Sequence, residues 1–252
     1  MADSTALPTL LKALRLPTMA QQWEALQSEA LQAGWSFSDY LAVLCEQELA
    51  ERESKRLARH LKQSMLPSGK TLPHFDFQAC PQLNPATVGQ LAGDVGWLER
   101  AENLLIFGPS GVGKTHLAAA IGHGLIDQGK RVYFTPTTVL VQQLQTAKRE
   151  LRLPEALAKL DKYHLLILDD IGYVKKSEGE TSVLFELIAH RYETGSLLVT
   201  SNHPFSQWEA IFADEMMTVA AIDRVVHHAT IIEIQAESYR KRTSMQRRAT
   251  MT

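Results

Sequence analysis

Apolar residues recur at helical spacing near the start of the chain and in short unbroken runs further on. Leucines between positions 7 and 14 follow the i, i+3, i+4 and i+7 spacing of one helix face. Pro17 and Gly34 break that periodicity, and the residues at 36–39 are typical of a capped helix start. The pattern therefore predicts successive helices and a small all-α N-terminal domain over residues 1–66.

The helix predicted after position 36 has an apolar side and a charged end. Phe37, Leu41 and Leu44 recur at helical spacing, and we expect them to be buried. The charged side chains are either a solvated face or a surface that contacts phosphates or a protein partner, and the sequence leaves both interpretations open. The cations of its last turns are Arg52, Lys55, Arg56, Arg59 and Lys62.

Prolines and glycines punctuate residues 67–96, which we interpret as a linker, although the stretch 72–77 is apolar enough to dock on a core. From residue 97 onward, apolar runs of strand length alternate with helical segments. This alternation is typical of a parallel sheet with helices on both faces, and it predicts an α/β domain over residues 97–252. The predicted strands are 103–107, 131–135, 165–168, 197–200 and 230–234.

The overall composition adds few constraints. Of the 252 residues, 45% are hydrophobic and 21% are charged, as in ordinary globular proteins. The formal net charge of -2 neither favours nor excludes nucleic acid as a partner, because local clusters matter more than the total. Cys45 and Cys80 do not suggest a disulfide framework or a metal site. Neither a signal peptide nor a membrane span is recognisable, so we expect a cytoplasmic protein without a membrane partner.

A glycine-rich loop lies between the first predicted strand and the helix that follows it. Residues 108–115 read Gly-Pro-Ser-Gly-Val-Gly-Lys-Thr, which fits the G-x-x-x-x-G-K-[ST] pattern of a P-loop. The glycines let backbone N–H groups wrap a triphosphate, and the helix N-terminus faces the anion. Lys114 is suited to reach the β- and γ-phosphates, and the Thr115 hydroxyl is suited to bind Mg²⁺. The motif predicts a nucleotide-binding site.

Polar residues follow two further predicted strands. Asp169 and Asp170 end an apolar run, a costly position for carboxylates unless a cation lies there. Asp169 is placed to hold Mg²⁺, and Asp170 is placed to act as general base toward the attacking water. Asn202 follows the next strand, where it can orient that water or contact the γ-phosphate. Arg224 is suited to stabilise charge on a transferring phosphoryl group, a role that a neighbouring subunit often supplies.

Together these stretches resemble the IstB-like transposition helper ATPases, in the DnaC/IstB branch of the AAA+ ATPases. Many NTPases share the first motif, whereas the later ones, in this order, are far more specific to this branch. The resemblance covers about residues 100–240 and rests on 108–122, 165–172, 199–208, 221–229 and 238–240.

The resemblance implies a P-loop AAA+ core that hydrolyses ATP with Mg²⁺, with the P-loop strand central in the sheet. Lys114 and Thr115 would form the Walker A pair, and Asp169 and Asp170 the Walker B pair. Asn202 would be the sensor-1 residue, and Arg224 an arginine finger acting in trans. The implied cofactor-binding residues are Gly108, Pro109, Ser110, Gly111, Val112, Gly113, Lys114, Thr115, His116 and, as a sensor-2-like arginine, Arg240.

One residue departs from the common AAA+ pattern. Many AAA+ proteins carry Glu where Asp170 stands in this chain. Because Asp is one methylene shorter, water activation is expected to be less well aligned. We therefore expect slow hydrolysis that serves as a timed switch.

The resemblance also implies partners. IstB-like proteins form rings or spirals on duplex DNA and help to deliver a transposase to target sites, so the N-terminal domain would serve self-association and partner contacts. In related proteins a helical element between the second and third strands lines the DNA path, and here it corresponds to residues 137–162. The candidate DNA contacts are Lys148, Arg149, Arg152, Lys175 and Lys176.

Three other interpretations compete with an ATP-dependent transposition helper. A DnaC-type replicative helicase loader would favour single-stranded DNA and bind a helicase. A small-molecule P-loop kinase would work as a monomer and would need a lid. A nucleotide-gated scaffold would not need Asp169, Asp170 and Arg224.

His227 and His228 are adjacent and cannot share one helical face, so we interpret them as packing or polar contacts and not as metal ligands.

Overall fold

The computed structural model describes residues 6–172, 177–204, 207–208, 215–236 and 238–239. The chain divides into two compact units, Met1–Arg59 and His60–Thr252, with the boundary inside a helix. The domain limits at residues 66 and 96 therefore stay predictions. Among the described residues, no helix combines the length and the apolar character that a bilayer crossing requires.

The first unit is helical, as predicted. It contains α1 (Leu7–Ala13), α2 (Pro17–Ala33) and the greater part of α3 (Phe37–Ser64). Ser36 and Asp39 cap the start of α3, because the Asp39 N–H donates to Ser36 Oγ and the Ser36 N–H donates to Asp39 Oδ2. The reciprocal pair satisfies two backbone donors that the first turn of a helix leaves open.

The buried face of α3 differs from the one expected. Leu44 is buried, but Phe37 and Leu41 are 95% and 57% exposed. The small core of this unit is contacted by Tyr40 and Val43. The packing face is therefore rotated toward those two residues, which leaves Leu41 outside it and Phe37 on the solvent side of the first turn. The prediction that Phe37 and Leu41 are buried was wrong.

The described strands of the second unit form a five-stranded parallel sheet in the order β2-β3-β4-β1-β5. This confirms the predicted α/β fold, and each strand lies within about one residue of its predicted limits. The P-loop strand β1 lies between β4 and β5, whereas β4 holds the middle position that had been expected for β1. The strands are β1 (Asn103–Phe107), β2 (Val132–Pro136), β3 (Leu165–Asp169), β4 (Ser196–Ser201) and β5 (Ala229–Glu233).

Helices cover both faces of the sheet. Side chains of β1 alternate between the two cores: Leu105 and Phe107 pack in one cluster, and Leu104 and Ile106 pack in the other. All five residues of β1 are buried, which explains its unbroken apolar sequence. The helices are α4 (Pro85–Gly93), α5 (Gly96–Glu99), α6 (Lys114–Asp127), α7 (Thr137–Arg149), α8 (Leu153–Ala158), α9 (Glu178–Arg191) and α10 (Glu215–Val226).

Residues 67–96 lie within the second unit and contribute to its core. Phe75 packs there, which confirms that the stretch 72–77 docks on a core. Helix α4 lies so close to α6 that a Cβ added at Gly124 would meet the Ala92 side chain at 2.8 Å. The segment before β1 therefore supports the helix that begins at the P-loop.

Candidate nucleotide-binding site

A cavity of about 480 Å³ opens at the carboxyl ends of the strands. Its size is within the range of small-ligand pockets, and its position is the one expected for ligands of open parallel sheets. The cavity brings together most of the residues predicted for the phosphates. They are Ser110, Gly111, Val112, Gly113, Lys114, Thr115, His116, Asp170 and Asn202.

The backbone of the P-loop is held against the segment that follows β5. Gly108 and Gly111 have φ of +151° and +86°, and a side chain at either would collide with Ile234 or Ser238. The Tyr239 N–H donates to the Gly111 carbonyl at 3.0 Å. Glycine is required at both positions by conformation and by close approach.

The Lys114 side chain is buried within the loop. Its ammonium donates to the carbonyl oxygens of Gly108 and Pro109 at 2.8 and 2.9 Å, and to Asn202 Oδ1. These contacts hold the charge at the start of α6, where the helix N-terminus also favours an anion. Phosphate oxygens can replace carbonyl oxygens as acceptors without moving the ammonium far.

Thr115 and Asp169, the two residues predicted to bind Mg²⁺, lie in contact. Thr115 Oγ1 donates to Asp169 Oδ2 at 3.1 Å. Hydroxyl and carboxylate oxygens are the hard donors that Mg²⁺ prefers, and Mg²⁺ usually takes only one or two protein ligands beside water and phosphate. The donor set therefore fits the ion, and Thr115 and Asp169 are the residues that would hold it.

Thr200 joins the Asp169 carboxylate to the Asp170 backbone, a role that sequence reasoning missed. Its hydroxyl donates to Asp169 Oδ1 at 2.7 Å and accepts the Asp170 backbone N–H at 2.8 Å. Asp170 has φ of +60°, in the left-handed region that Asp tolerates better than most residues. The only signal was a threonine at the end of an apolar strand, two residues before Asn202.

Asn202 completes a continuous set of hydrogen bonds across three strand ends. Its Nδ2 donates to Asp170 Oδ1 at 3.0 Å, and its Oδ1 accepts from Lys114. The contacts thus run from Thr115 through Asp169, Thr200, Asp170 and Asn202 back to Lys114. Such a network fixes the direction of each polar group, because every member is held by its neighbours.

A second wall of the cavity comes from the segment before β1. His116 stacks edge to face on Phe75, with ring centroids 5.2 Å apart, and its Nε2 lies 3.1 Å from the Thr71 carbonyl. Burial lowers the pKa of His116, the Thr71 contact opposes that change, and the charges of Lys70 and His74 add to the lowering. His116 is therefore neutral at pH 7 and donates its Nε2–H to Thr71.

The structure does not bring Arg224 to this cavity. Arg224 Nη1 donates to the Ala220 carbonyl at 2.9 Å, and the guanidinium lies 5.3 Å from the centre of the Phe185 ring. The adjacent Val225 carbonyl accepts from Asn103 Nδ2 at the start of β1, whereas the P-loop follows the end of β1. The length of a five-residue strand, roughly 16 Å, separates the two edges of the sheet.

Three of the predicted DNA contacts, Lys148, Arg149 and Arg152, lie away from the cavity, at or just after the end of α7. Lys148 Nζ contacts Ser182 Oγ and Glu186 Oε1 at 2.8 and 2.7 Å, and Arg152 pairs with Glu150. Arg149 Nε donates to the Gln145 carbonyl at 3.5 Å. Lys175, Lys176 and Arg240 lie outside the described residues.

Comparison with solved structures supports the fold assignment. The chain is similar to the DnaC helicase loader, with a TM-score of 0.53 and 21% identity over 67% of this chain and 98% of that one. It is also similar to AMPPCP-bound DnaA from Aquifex aeolicus, with a TM-score of 0.54 and 20% identity over 68% of this chain and 51% of that one. These similarities confirm the predicted fold, a parallel sheet with a P-loop and helices on both faces.

Comparison with known sequences identifies the family. An insertion sequence ATP-binding protein of Sinorhizobium fredii is 52% identical over 97% of this chain and 82% of its own length. The insertion sequence IS21 ATP-binding protein of Pseudomonas aeruginosa is 39% identical over 93% of this chain and 88% of its own. The family model described as IstB-like ATP binding protein matches residues 9–247. The resemblance found in the sequence is thus confirmed, and the chain belongs to the family of IstB-like ATP-binding proteins.

Proposed function

We propose that this chain is a Mg²⁺-dependent ATPase of an insertion sequence, which assembles on duplex DNA and assists a transposase in target selection. The observation that carries the ATPase part is the hydrogen-bonded network that joins the P-loop to Asp169, Asp170 and Asn202. The names of the relatives support the link to insertion sequences and to ATP.

The network assigns a role to each side chain. Lys114 and the backbone N–H groups of the loop bind the β- and γ-phosphates. When bound by Thr115 and Asp169, Mg²⁺ would neutralise phosphate charge. Asp170 accepts a proton from the attacking water, and Asn202 positions both Asp170 and that water. The Lys114 ammonium, held by Asn202 on one side, stays within reach of the γ-phosphate.

Arg224 lies at the opposite edge of the sheet from its own P-loop, so it can reach a nucleotide only in another copy of the chain. An arginine supplied in trans stabilises transition-state charge and raises turnover by about 10³- to 10⁵-fold in well-studied NTPases. ATP hydrolysis would then require a homo-oligomer in which the edge bearing Arg224 faces the cavity of the next subunit.

Mixing two inactive variants tests this arrangement. Lys114→Ala removes the nucleotide site, and Arg224→Ala removes the finger, so each alone should be inactive. In an equimolar mixture, about a quarter of the cavities would pair an intact Lys114 with an intact neighbouring Arg224, and activity should return to about that fraction of the unmutated rate. The double variant, with both Lys114→Ala and Arg224→Ala, is the matched control. Mixing it with either single variant should not restore ATP hydrolysis. A mixture that stays inactive, although both variants assemble, would contradict the trans arrangement.

The DNA part of the proposal rests on the cations near the end of α7. Helix α7 has 13 residues, so this cluster lies roughly 20 Å from the start of the helix, where Thr137 contacts the Asp169 carbonyl. Exposed ion pairs such as Lys148 with Glu186 contribute little stability, so phosphates can replace the carboxylates as partners.

Particle mass on equal lengths of duplex and single-stranded DNA, with ATP and with ADP, tests assembly. Large particles that form on duplex only with ATP are the expected result. A preference for single strands would favour a helicase loader instead. A monomer that ignores DNA would contradict the DNA and transposase parts of the proposal while leaving the nucleotide site standing.

A further inference from the structure

His227 and His228 occupy a turn and not a helix, which removes the geometric objection to their acting together. Helix α10 ends at Val226, and the two histidines precede β5. Their ring centroids are 4.0 Å apart, so both imidazoles lie on the same side of the chain. The expectation that adjacent histidines point to different faces was wrong because it assumed that the helix continues.

A carboxylate from another loop completes the group. Glu193 lies between α9 and β4, and one ligand atom from each of Glu193, His227 and His228 lies within 4.8 Å of the others. All three side chains are exposed, so a metal ion could enter without unfolding of the chain. Two imidazoles and a carboxylate, with a position open to water, are a common donor set for Zn²⁺.

Tyr192 orients this group. Its hydroxyl lies 2.8 Å from His227 Nδ1. The Tyr192 side chain also forms a hydrogen bond with the Glu193 side chain. The phenol can therefore donate to Glu193 while accepting Nδ1–H from His227, which leaves Nε2 of His227 as the ligand atom. A hydroxyl or carboxylate that fixes the tautomer of a ligating histidine is a frequent feature of metal sites.

We propose that Glu193, His227 and His228 bind Zn²⁺ at the edge of the sheet opposite the nucleotide cavity. The ion would join the loop between α9 and β4 to the turn between α10 and β5. It would thereby stabilise the end of α10, one turn after Arg224. The site does not depend on nucleotide, so it stands or falls separately from the ATPase.

Metal titration of the full-length chain without a histidine tag tests the site. After removal of metal by a chelator, Co²⁺ should give the visible absorption of a tetrahedral nitrogen and oxygen site, and excess Zn²⁺ should abolish it. His228→Asn and Glu193→Gln should each weaken Zn²⁺ binding more than tenfold in calorimetry, and Tyr192→Phe should weaken it about tenfold through loss of orientation.

His190→Asn is the matched control. His190 is another surface histidine, paired with Asp161, and it lies in the last turn of α9, shortly before Glu193. The Zn²⁺ affinity of the His190→Asn variant should equal that of the unmutated chain. Thermal unfolding provides a second measurement: Zn²⁺ should raise the melting temperature of the unmutated chain and of His190→Asn, but not of His228→Asn. Equal Zn²⁺ affinity in all these variants, or no Co²⁺ spectrum in the unmutated chain, would overturn the proposal.

Discussion

Asn202 Nδ2 donates a hydrogen bond to Asp170 Oδ1 at 3.0 Å, which ties the end of β4 to the end of β3. The same amide holds Lys114 through its oxygen. We predict that Asn202→Ala lowers kcat for ATP hydrolysis by about 10²-fold, since a positioned polar group at the reacting phosphate is lost. Nucleotide affinity should change only a few-fold, because the P-loop stays intact. Fluorescent nucleotide binding and steady-state hydrolysis separate the two effects, and an equal loss in both would contradict the assigned role.

Thr200 should affect both stability and turnover. Thr200→Val keeps the shape of the side chain but leaves the Asp170 N–H without its acceptor, at a cost of about 1–3 kcal/mol in the free energy of unfolding. We also expect kcat to fall, because the Asp169 carboxylate and the Asp170 backbone lose a common anchor. Thr200→Ser keeps the hydroxyl and should retain most of the stability and most of the kcat of the unmutated chain. Chemical denaturation measures the stability, and steady-state hydrolysis measures kcat. If the serine variant were as defective as the valine variant, the role assigned to the Thr200 hydroxyl would be contradicted.

The length of the side chain at position 170 should determine the rate of ATP hydrolysis. Asp170→Glu brings the carboxylate closer to the attacking water and should raise kcat, whereas Asp170→Asn should abolish hydrolysis and retain nucleotide binding. Steady-state turnover with duplex DNA measures both. A rate above about 10 s⁻¹ in the unmutated chain, which is typical of enzymes, would remove the support for a slow switch.

Neutralising Lys148, Arg149 and Arg152 together should weaken duplex binding and flatten its dependence on salt. Each lost phosphate contact lowers the slope of log K against log salt by about one. Nucleotide affinity should stay the same, because the cluster is far from the cavity. Replacing Lys12, Arg100 and Lys130 by glutamine removes the same charge outside the proposed DNA contacts and is the matched control. An unchanged salt slope in the α7 variant would remove the cluster from the DNA path.

The environment of His116 predicts a loss of stability in mild acid. Burial holds the pKa of His116 below its ordinary value of 6.5, so the folded chain binds this proton less readily than the unfolded chain does. The contribution of His116 is complete above pH 6.5 and declines as the pH falls through that value toward the folded-state pKa. His116→Gln should therefore lose less stability than the unmutated chain between about pH 7.5 and about pH 5.5. Denaturation midpoints at both pH values measure this, with His203→Gln as control.

The sequence predicted best where burial decides the structure. The strands beside the cavity are apolar on both faces because both faces are covered, and in this chain these runs located each strand to within about one residue. The P-loop pattern likewise places Lys114 and Thr115, since few other arrangements can wrap a triphosphate.

Prediction failed where the outcome depends on which elements meet. Phe37 and Leu41 have helical spacing, but spacing alone does not say how far a helix is rotated toward its neighbour. Thr200 has no motif of its own, because its role arises only when β3 and β4 are adjacent in the sheet. For His227 and His228, the end of α10 decides their geometry, and helix ends are the least predictable boundaries.

The register of β1 and β5 pairs Asn103 with Ala229 and Phe107 with Glu233, so the P-loop and Arg224 belong to opposite ends of one strand pair. Copies that associate through these two different faces form a head-to-tail row of subunits. The row closes into a ring only if the rotation between neighbouring subunits divides a full turn. In an open row, one end presents a cavity without an arginine and the other an arginine without a cavity. Incoming subunits would therefore meet different surfaces at the two ends, and growth and disassembly need not proceed at the same rate from each.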